Sequence, residues 1–352
     1  MQGIAERQAR QAGRRANAPR RSRLLAAALV VSAAAWLLGW AGAEAQSLQR
    51  VRLSEVVRSV FYAPQYVALA LGFFEEEGLS IELSTAWGAH NGMAALLSGS
   101  VDIGFFGPEA TIYVYQQGAP DPVVGFLQLT QRDGSFLMAR GKVDSFQWED
   151  VRGRLIVGAR KGGVPQMVLE WVLRQHGIEP FRDVGIITHL EFPAAAGAFE
   201  GGLGDYVAQF DPALTQLERN GTGTIVASLG AEAGEIAYTV YHARRSYLQR
   251  NPDIIERFTR AIYRGQQWVH SHTPVEIAEV VAPFFAGIDF DVLVQAIERY
   301  RSIDAWTTSP HISPAAFDML QRVMMAAGEL AAPVPFDAIM TNEFADRVGP
   351  RR

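Results

Sequence analysis

Short loops that follow predicted strands carry the residue types best suited to contact a small molecule. In open parallel sheets, bound molecules lie beyond the carboxyl ends of the strands, where the next helix begins. Helix N-termini there offer free N–H groups and a partial positive charge. Four loops of this kind, and the end of one further strand, supply the candidate binding residues Ser59, Tyr62, Trp87, Asn91, Gly107, Glu109, Gly163, Gln166 and Asp211.

Each candidate also has a structural interpretation. Trp87 and Tyr62 can form stacking walls for a planar molecule or can be ordinary core aromatics. Glu109, after Pro108 in a first helical turn, suits the helix dipole and can equally accept hydrogen bonds from an amine. Asp211 precedes a proline, where capping of the next helix is the favoured role.

The sequence indicates no catalytic, metal or cofactor site. It contains no cysteine, so disulfides, thiolate metal sites and cysteine nucleophiles are excluded. His270 and His272 are two positions apart in a predicted helix and therefore point in different directions. No G-x-S-x-G, H-E-x-x-H or phosphate-loop pattern occurs.

The first 45 residues are typical of a secretory signal peptide. Seven arginines precede an apolar run over 24–43, and small residues end it at Ala43 and Ala45. An uncleaved anchor is the alternative, since about 20 apolar residues can span a bilayer. We expect cleavage after Ala45, which would leave Gln46 as the new N-terminus. Without a cysteine for lipid attachment, the product is expected to be free in the periplasm.

The predicted mature chain is acidic. The leader holds seven arginines and two glutamates of the 32 basic and 37 acidic residues, so cleavage leaves a net charge of about −10. Such a charge argues against nucleic acids and anionic membrane surfaces as partners, because both attract positive potential. About 307 residues remain, which is enough for one large core or two smaller ones.

Short apolar strands alternate with amphipathic helices along the mature chain. This pattern predicts an α/β fold with mostly parallel sheets. One series ends near residue 136, a second occupies 137–237, and a mainly helical segment follows from 246 to 344. We therefore predict a discontinuous first lobe, 46–136 with 238–352, and a second lobe over 137–237. Strand segments around 135–139 and 235–239 would join the lobes as a hinge.

Several sequence segments carry a family resemblance. They are 63–68 (APQYVA), 72–79 (GFFEEEGL), 94–104 (AALLSGSVDIG), 204–221 (GDY, then DP and LERNG) and 247–252 (YLQRNP). Their order and spacing resemble the periplasmic-type solute-binding proteins for alkanesulfonates, taurine and thiamine precursors, the SsuA/TauA/NMT1-like group. The resemblance covers residues 51 to about 269.

This resemblance implies a type II periplasmic-binding-protein fold with two Rossmann-like lobes and a ligand cleft between them. It also implies a monomer that captures a small molecule by lobe closure and delivers it to an ABC permease in the inner membrane. Aromatic residues with Glu109 and Asp211 favour a planar, amine-bearing heterocycle such as a thiamine-type pyrimidine. Helix N-termini with Arg160 and Lys161 favour a sulfonate or other anion instead. A third interpretation is an enzyme of the pyrimidine-synthase type on the same fold.

Overall fold

The computed structural model describes residues 48–349, so the predicted signal peptide lies outside the described residues. Within this range no helix has the length and apolar character needed to cross a membrane. The strands are β1 (Gln49–Glu55), β2 (Leu79–Thr85), β3 (Ile103–Phe106), β4 (Val123–Thr130), β5 (Ser135–Arg140), β6 (Leu155–Val157), β7 (Gly185–Ile187), β8 (Tyr206–Phe210), β9 (Gly223–Ser228) and β10 (Thr239–Arg244).

Helices connect these strands and form the C-terminal third of the chain. They are α1 (Ala63–Ala70), α2 (Phe73–Glu76), α3 (Ala89–Ser98), α4 (Glu109–Gln116), α5 (Val164–Gln175), α6 (Phe192–Glu200), α7 (Ala213–Arg219), α8 (Leu229–Ala233), α9 (Arg245–Arg250), α10 (Pro252–Ser271), α11 (Pro274–Val281), α12 (Phe290–Ser302), α13 (Pro314–Ala326), α14 (Phe336–Ile339) and α15 (Glu343–Val348). Proline lies in the first turn of several of them, where its missing N–H leaves no hydrogen bond unmade.

The strands form two five-stranded sheets of matching design. The first sheet has the order β2-β1-β3-β10-β4, and the second has the order β7-β6-β8-β5-β9. In each sheet the first three strands pair in parallel and the remaining pairings are antiparallel. The predicted α/β class is confirmed. Both sheets are mixed, because β10 and β5 each run against the other four strands of their sheet, which point in one direction.

Strand β4 was not predicted from the sequence. All eight of its residues are buried, although Gln128 and Thr130 interrupt its apolar pattern. Buried partners accommodate the glutamine: its Nε2 donates to the Thr130 carbonyl, and its Oε1 accepts the Ser313 N–H. The strand therefore depends on a contact 185 residues away, which local sequence does not reveal.

The chain passes between the sheets twice, through residues 131–134 and 229–238, which we call the crossing segments. The Ile236 N–H donates to the Gln131 carbonyl over 2.9 Å and so ties the two segments together. Glycines allow this close approach: a Cβ at Gly134 would lie 2.7 Å from the Phe61 ring, and one at Gly230 would overlap the Asp133 carbonyl oxygen. The predicted 135–139 segment lies inside β5, just after the first crossing.

Gly230→Ala should destabilise the fold. The added methyl would meet backbone rather than a flexible side chain, so we expect the free energy of unfolding to fall by about 1–3 kcal/mol. Gly197→Ala is the matched control, because Gly197 lies within α6 with nothing close to an added Cβ. The control should be neutral or stabilising by up to about 1 kcal/mol. Urea denaturation followed by circular dichroism measures both; equal effects would contradict tight packing at the crossing.

Candidate functional site

A cleft of about 560 Å³ lies between residues of the two sheets. This volume falls within the range that small organic ligands occupy in proteins. Its lining is mainly apolar and comprises Val56, Val57, Tyr62, Gly88, Ala89, His90, Met93, Ala94, Leu97, Gly107, Glu109, Ala110, Tyr113, Val114, Gln117, Ala159, Arg160, Lys161, Gly162, Gly163, Val164, Pro165, Glu191, Phe192, Phe210, Tyr238, Thr239 and Glu329. Both sheets and the second crossing segment thus contribute to one cavity.

Glu109 is the buried acidic group of this cleft. Glu109 is the first residue of α4 and is only 4% exposed. Burial raises the pKa of the Glu109 carboxyl to about 7, although hydrogen bonds from the backbone N–H groups of Glu109, Ala110 and Val164 lower it. Oε2 is buried without a hydrogen-bond partner among the described residues. The cleft therefore presents an unsatisfied oxygen, which a ligand donor would relieve.

Gly107 gives this carboxyl its position. A Cβ at residue 107 would overlap Oε2 of Glu109, so the carboxyl folds back over the glycine. The same Cβ would also lie 3.0 Å from the Val164 side chain on the opposite side of the cleft. Only glycine leaves room for the carboxyl between the two sides.

Aromatic side chains form much of the cleft wall. Tyr62 and Tyr113 come from the first sheet's side, whereas Phe192 and Phe210 come from the second. Phe192 and Phe210 pack edge to face with ring centroids 5.2 Å apart, which fixes their orientation. The Tyr113 hydroxyl donates to the Gly162 carbonyl across the cleft over 3.0 Å. Flat apolar surfaces therefore border the free Glu109 oxygen.

The second crossing segment brings another polar pair to the cleft. Tyr238 lines the cavity, and Asp133 of the first crossing lies beside it. Burial raises the pKa of Asp133 to about 7, while hydrogen bonds from the Ser135 N–H and hydroxyl lower it. Desolvation likewise raises the pKa of the Tyr238 hydroxyl well above its ordinary value. Burial at the crossing therefore favours the protonated forms of both Asp133 and Tyr238.

The mouth of the cleft is charged and partly exposed. Arg160 Nη1 lies 2.8 Å from Nδ1 of His90 and 3.5 Å from a carboxylate oxygen of Glu191. Desolvation, followed by the charge of Arg160, lowers the pKa of His90. Arg160 is half exposed, so this cluster closes the mouth through solvent-accessible contacts.

The cleft brings together four of the nine candidates named from the sequence. Tyr62, Gly107, Glu109 and Gly163 are in its lining. The other five, which lie outside the lining, are Ser59, Trp87, Asn91, Gln166 and Asp211.

Ser59 and Asp211 join the two sides of the molecule at the crossing. The Ser59 hydroxyl donates to the Asp211 carbonyl over 2.6 Å. The Asp211 carboxylate accepts from Arg299 at 2.7 Å and from the Thr215 N–H and hydroxyl at 2.9 Å. The Asp211 N–H donates to the Tyr300 hydroxyl. Asp211 thus caps α7, as weighed in the sequence analysis, and also holds α12 in place.

Of the remaining three candidates, Gln166 and Asn91 stabilise loops, whereas Trp87 lies at the surface. Gln166 accepts from the Ala159 N–H and donates to Glu170, which shapes the loop before α5. Asn91 donates to the Ala86 carbonyl. Trp87 has a left-handed backbone with φ of 57° and a side chain that is 45% exposed.

Several lining residues were not among the candidates. Tyr113 lies four residues after Glu109 on the same helix face, a spacing that would have indicated a shared surface. Phe210 ends β8 and so satisfies the same strand-end rule as the chosen residues. Phe192 begins the helix that follows β7 and so satisfies this rule as well. Tyr238 carried no comparable local signal, because its place depends on how the two sheets face each other.

Comparison with known proteins assigns the family. The family model described as NMT1/THI5 like matches residues 61–276. The chain belongs to the NMT1/THI5-like family. The resemblance predicted from the sequence motifs is confirmed.

Two curated relatives extend over most of the chain. The putative binding protein YtlA of Bacillus subtilis is 43% identical over 303 residues, covering 86% of this chain and 91% of that protein. The riboflavin-binding protein RibY of Chloroflexus aurantiacus is 23% identical over 318 residues, covering 85% of this chain and 86% of that protein.

Solved structures confirm the predicted fold. The alkanesulfonate-binding protein SsuA from Xanthomonas axonopodis pv. citri, bound to MOPS, aligns with a TM-score of 0.68 at 16% identity, covering 83% of this chain and 98% of that one. The desulfurization enzyme DSZB aligns with a TM-score of 0.63 at 15% identity, covering 85% of this chain and 99% of that one. This NMT1/THI5-like chain therefore has the α/β periplasmic-binding-protein fold.

Glu109→Gln should change how stability depends on pH. The folded-state pKa of about 7 lies above the ordinary value of 4.5, so the folded protein holds an extra proton between these values. Stability is therefore lost as the pH rises from about 4.5 to 7. The variant should remove about 3 kcal/mol of that loss, as measured by denaturation at pH 5 and pH 8. Glu329→Gln, at a partly exposed lining position, is the control and should retain the wild-type slope.

Proposed function

We propose that this protein is the periplasmic solute-binding component of an ABC importer. It would act as a monomer, close its two lobes (46–136 with 238–352, and 137–237) around a small molecule, and deliver that molecule to a permease in the inner membrane. Membership of the NMT1/THI5-like family and similarity to YtlA, itself described as a putative binding protein, support this role. The observation that carries it is the apolar cleft with an unpartnered carboxyl oxygen in its wall.

The cleft chemistry favours a planar heterocycle with an N–H donor, such as a thiamine-precursor-like pyrimidine. Aromatic walls from both sides suit a flat ring, and Oε2 of Glu109 suits an amine or ring N–H. Among the sequence candidates, we propose Tyr62, Gly107, Glu109 and Gly163 as ligand contacts. RibY is named for binding riboflavin, a heterocyclic compound, and is related over most of the chain.

A sulfonate or related anion is the second candidate ligand. SsuA binds MOPS on the same fold, and Arg160 and Lys161 line the mouth of this cleft. Against this candidate, Arg160 already contacts His90 and Glu191. An anion entering further would approach the Glu109 carboxylate, and like charges at short range in a dry cavity repel strongly.

The pH dependence of binding separates the two ligand classes. A neutral ligand that donates an N–H to Glu109 prefers the ionised carboxyl, so its affinity should rise by about threefold to tenfold from pH 6 to pH 8. The affinity of an anion should fall over the same range. Isothermal titration with aminopyrimidines, riboflavin, taurine and MOPS measures both trends.

Variants of the two cleft carboxyls serve as controls for this experiment. Glu109→Gln should weaken heterocycle binding by about 10- to 100-fold, the value of a charge-assisted hydrogen bond, and should remove the pH dependence. Glu329→Gln should preserve both. Tight taurine or MOPS binding that ignores the Glu109 change would reject the heterocycle assignment. Chemical conversion of a bound compound would reject the carrier role in favour of an enzyme.

The position of the N-terminus in the mature protein tests whether the chain is exported and cleaved. The proposed leader predicts that protein from the periplasmic fraction begins at Gln46, which N-terminal sequencing would detect. A cytoplasmic product that retains residues 1–45 would contradict periplasmic capture.

A further inference from the structure

Two helix N-termini from opposite sides of the cleft meet at Glu109. Helix α4 follows β3 of the first sheet and begins at Glu109 itself, whereas α5 follows β6 of the second sheet and begins at Val164. The Glu109 carboxyl lies between the two helix starts, because a Cβ at Gly107 would overlap its Oε2 and would also lie 3.0 Å from the Val164 side chain.

Such a position suits an anion. Each helix N-terminus presents N–H groups without intrahelical partners and a partial positive charge. Here the chain's own carboxyl takes that position: the Glu109 side chain is 4% exposed, and it bends back over Gly107. One oxygen, Oε2, is buried and has no hydrogen-bond partner within residues 48–349, so the Glu109 carboxyl fills the position and leaves one acceptor free.

We propose that Glu109 is an internal anion that occupies the position between the two helix N-termini and thereby excludes anionic ligands from the cleft. Glu109 is then a specificity-determining residue, and its free oxygen selects ligands that donate a hydrogen bond. This inference rests on the proposed function in one respect, that the cleft is the ligand site. It does not depend on which heterocycle is bound.

The charged residues at the mouth of the cleft do not offset the exclusion of anions by Glu109. Arg160 contacts His90 and Glu191 at the surface, and Glu329 adds a second carboxyl to the lining. Of the lining residues, only Arg160 and Lys161 are cationic at neutral pH, since the pKa of His90 is lowered. Removal of the Glu109 side chain would therefore expose the N–H groups of two helices to an incoming anion.

The test is a gain of anion binding in Glu109→Ala. Isothermal titration at pH 8 with methanesulfonate and acetate compares wild type with the variant. We expect the variant to bind these anions at least about tenfold more tightly than wild type. Acetate should also raise the melting temperature of Glu109→Ala but not that of wild type, because it replaces the missing carboxylate.

Two further variants separate the effect of the Glu109 charge from the effect of the space that its side chain fills. Glu109→Gln removes the negative charge but keeps the position filled, so it should gain less anion affinity than Glu109→Ala. Glu329→Ala removes an equal charge from the lining without vacating the position between the two helix N-termini, so it should also gain less than Glu109→Ala. A gain in either control equal to that of Glu109→Ala would overturn the proposal, as would a folded Glu109→Ala with no gain. Glu109→Ser, which opens the same space with a small polar group, provides the measurement if the alanine variant does not fold.

The outcomes also distinguish this inference from the proposed function. Heterocycle binding by wild type without a gain in the alanine variant would reject the internal anion alone. A gain in that variant, with no heterocycle bound by wild type, would reject the proposed ligand class alone. Tight methanesulfonate binding by wild type would reject both.

Discussion

The double crossing of the chain between its sheets is the constraint on which the cleft depends. Two adjacent segments, 131–134 and 229–238, join the sheets, and the glycines at 134 and 230 let backbone and the Phe61 ring pack closely there. The loops that follow β3 and β6 therefore border one cavity. Glu109 and Val164 meet for this reason, although 55 positions separate them in the sequence.

The cleft retains an unfavourable group that its ligand can satisfy. Three backbone N–H groups favour the Glu109 carboxylate, yet burial outweighs them and raises its pKa to about 7. An unmade hydrogen bond of this kind costs about 1–3 kcal/mol. Under the proposed function, a ligand that donates to Oε2 would recover this free energy. In the proposed capture by lobe closure, this one atom would link binding to closure, because a ligand shifts a conformational equilibrium only by its differential affinity for the two states.

Local sequence located the part of the site that follows a local rule. Tyr62, Gly107, Glu109 and Gly163 lie where a strand gives way to a helix, and such turns face the cleft in this fold. The same rule also selected Ser59 and Asp211, whose partners lie across the crossing. Sequence alone does not distinguish a polar residue that caps a helix from one that joins two segments or one that contacts a ligand.

What the sequence did not reveal depends on long-range geometry. Strand β4 is polar at two positions and was missed, because its glutamine is satisfied by Ser313 in a distant segment. The antiparallel direction of β5 and β10 follows from the crossings and not from any periodicity. Tyr238 enters the cleft for the same reason. The α/β class itself could be predicted, since alternation of strands and helices is a local property.

The contacts on the two sides of the cleft differ in strength, and this difference favours opening at the mouth. At the crossing, the Asp211 side chain is fully buried and bonds Arg299 and Thr215, and breaking such a buried pair costs several kcal/mol, about 3–5. At the mouth, the contact across the cleft is between Arg160, which is half exposed, and His90, and exposed polar contacts of this kind contribute about 0–1 kcal/mol. The Tyr113–Gly162 hydrogen bond adds about 1 kcal/mol. Separation therefore costs least on the side where a ligand would enter, while the crossing stays fastened.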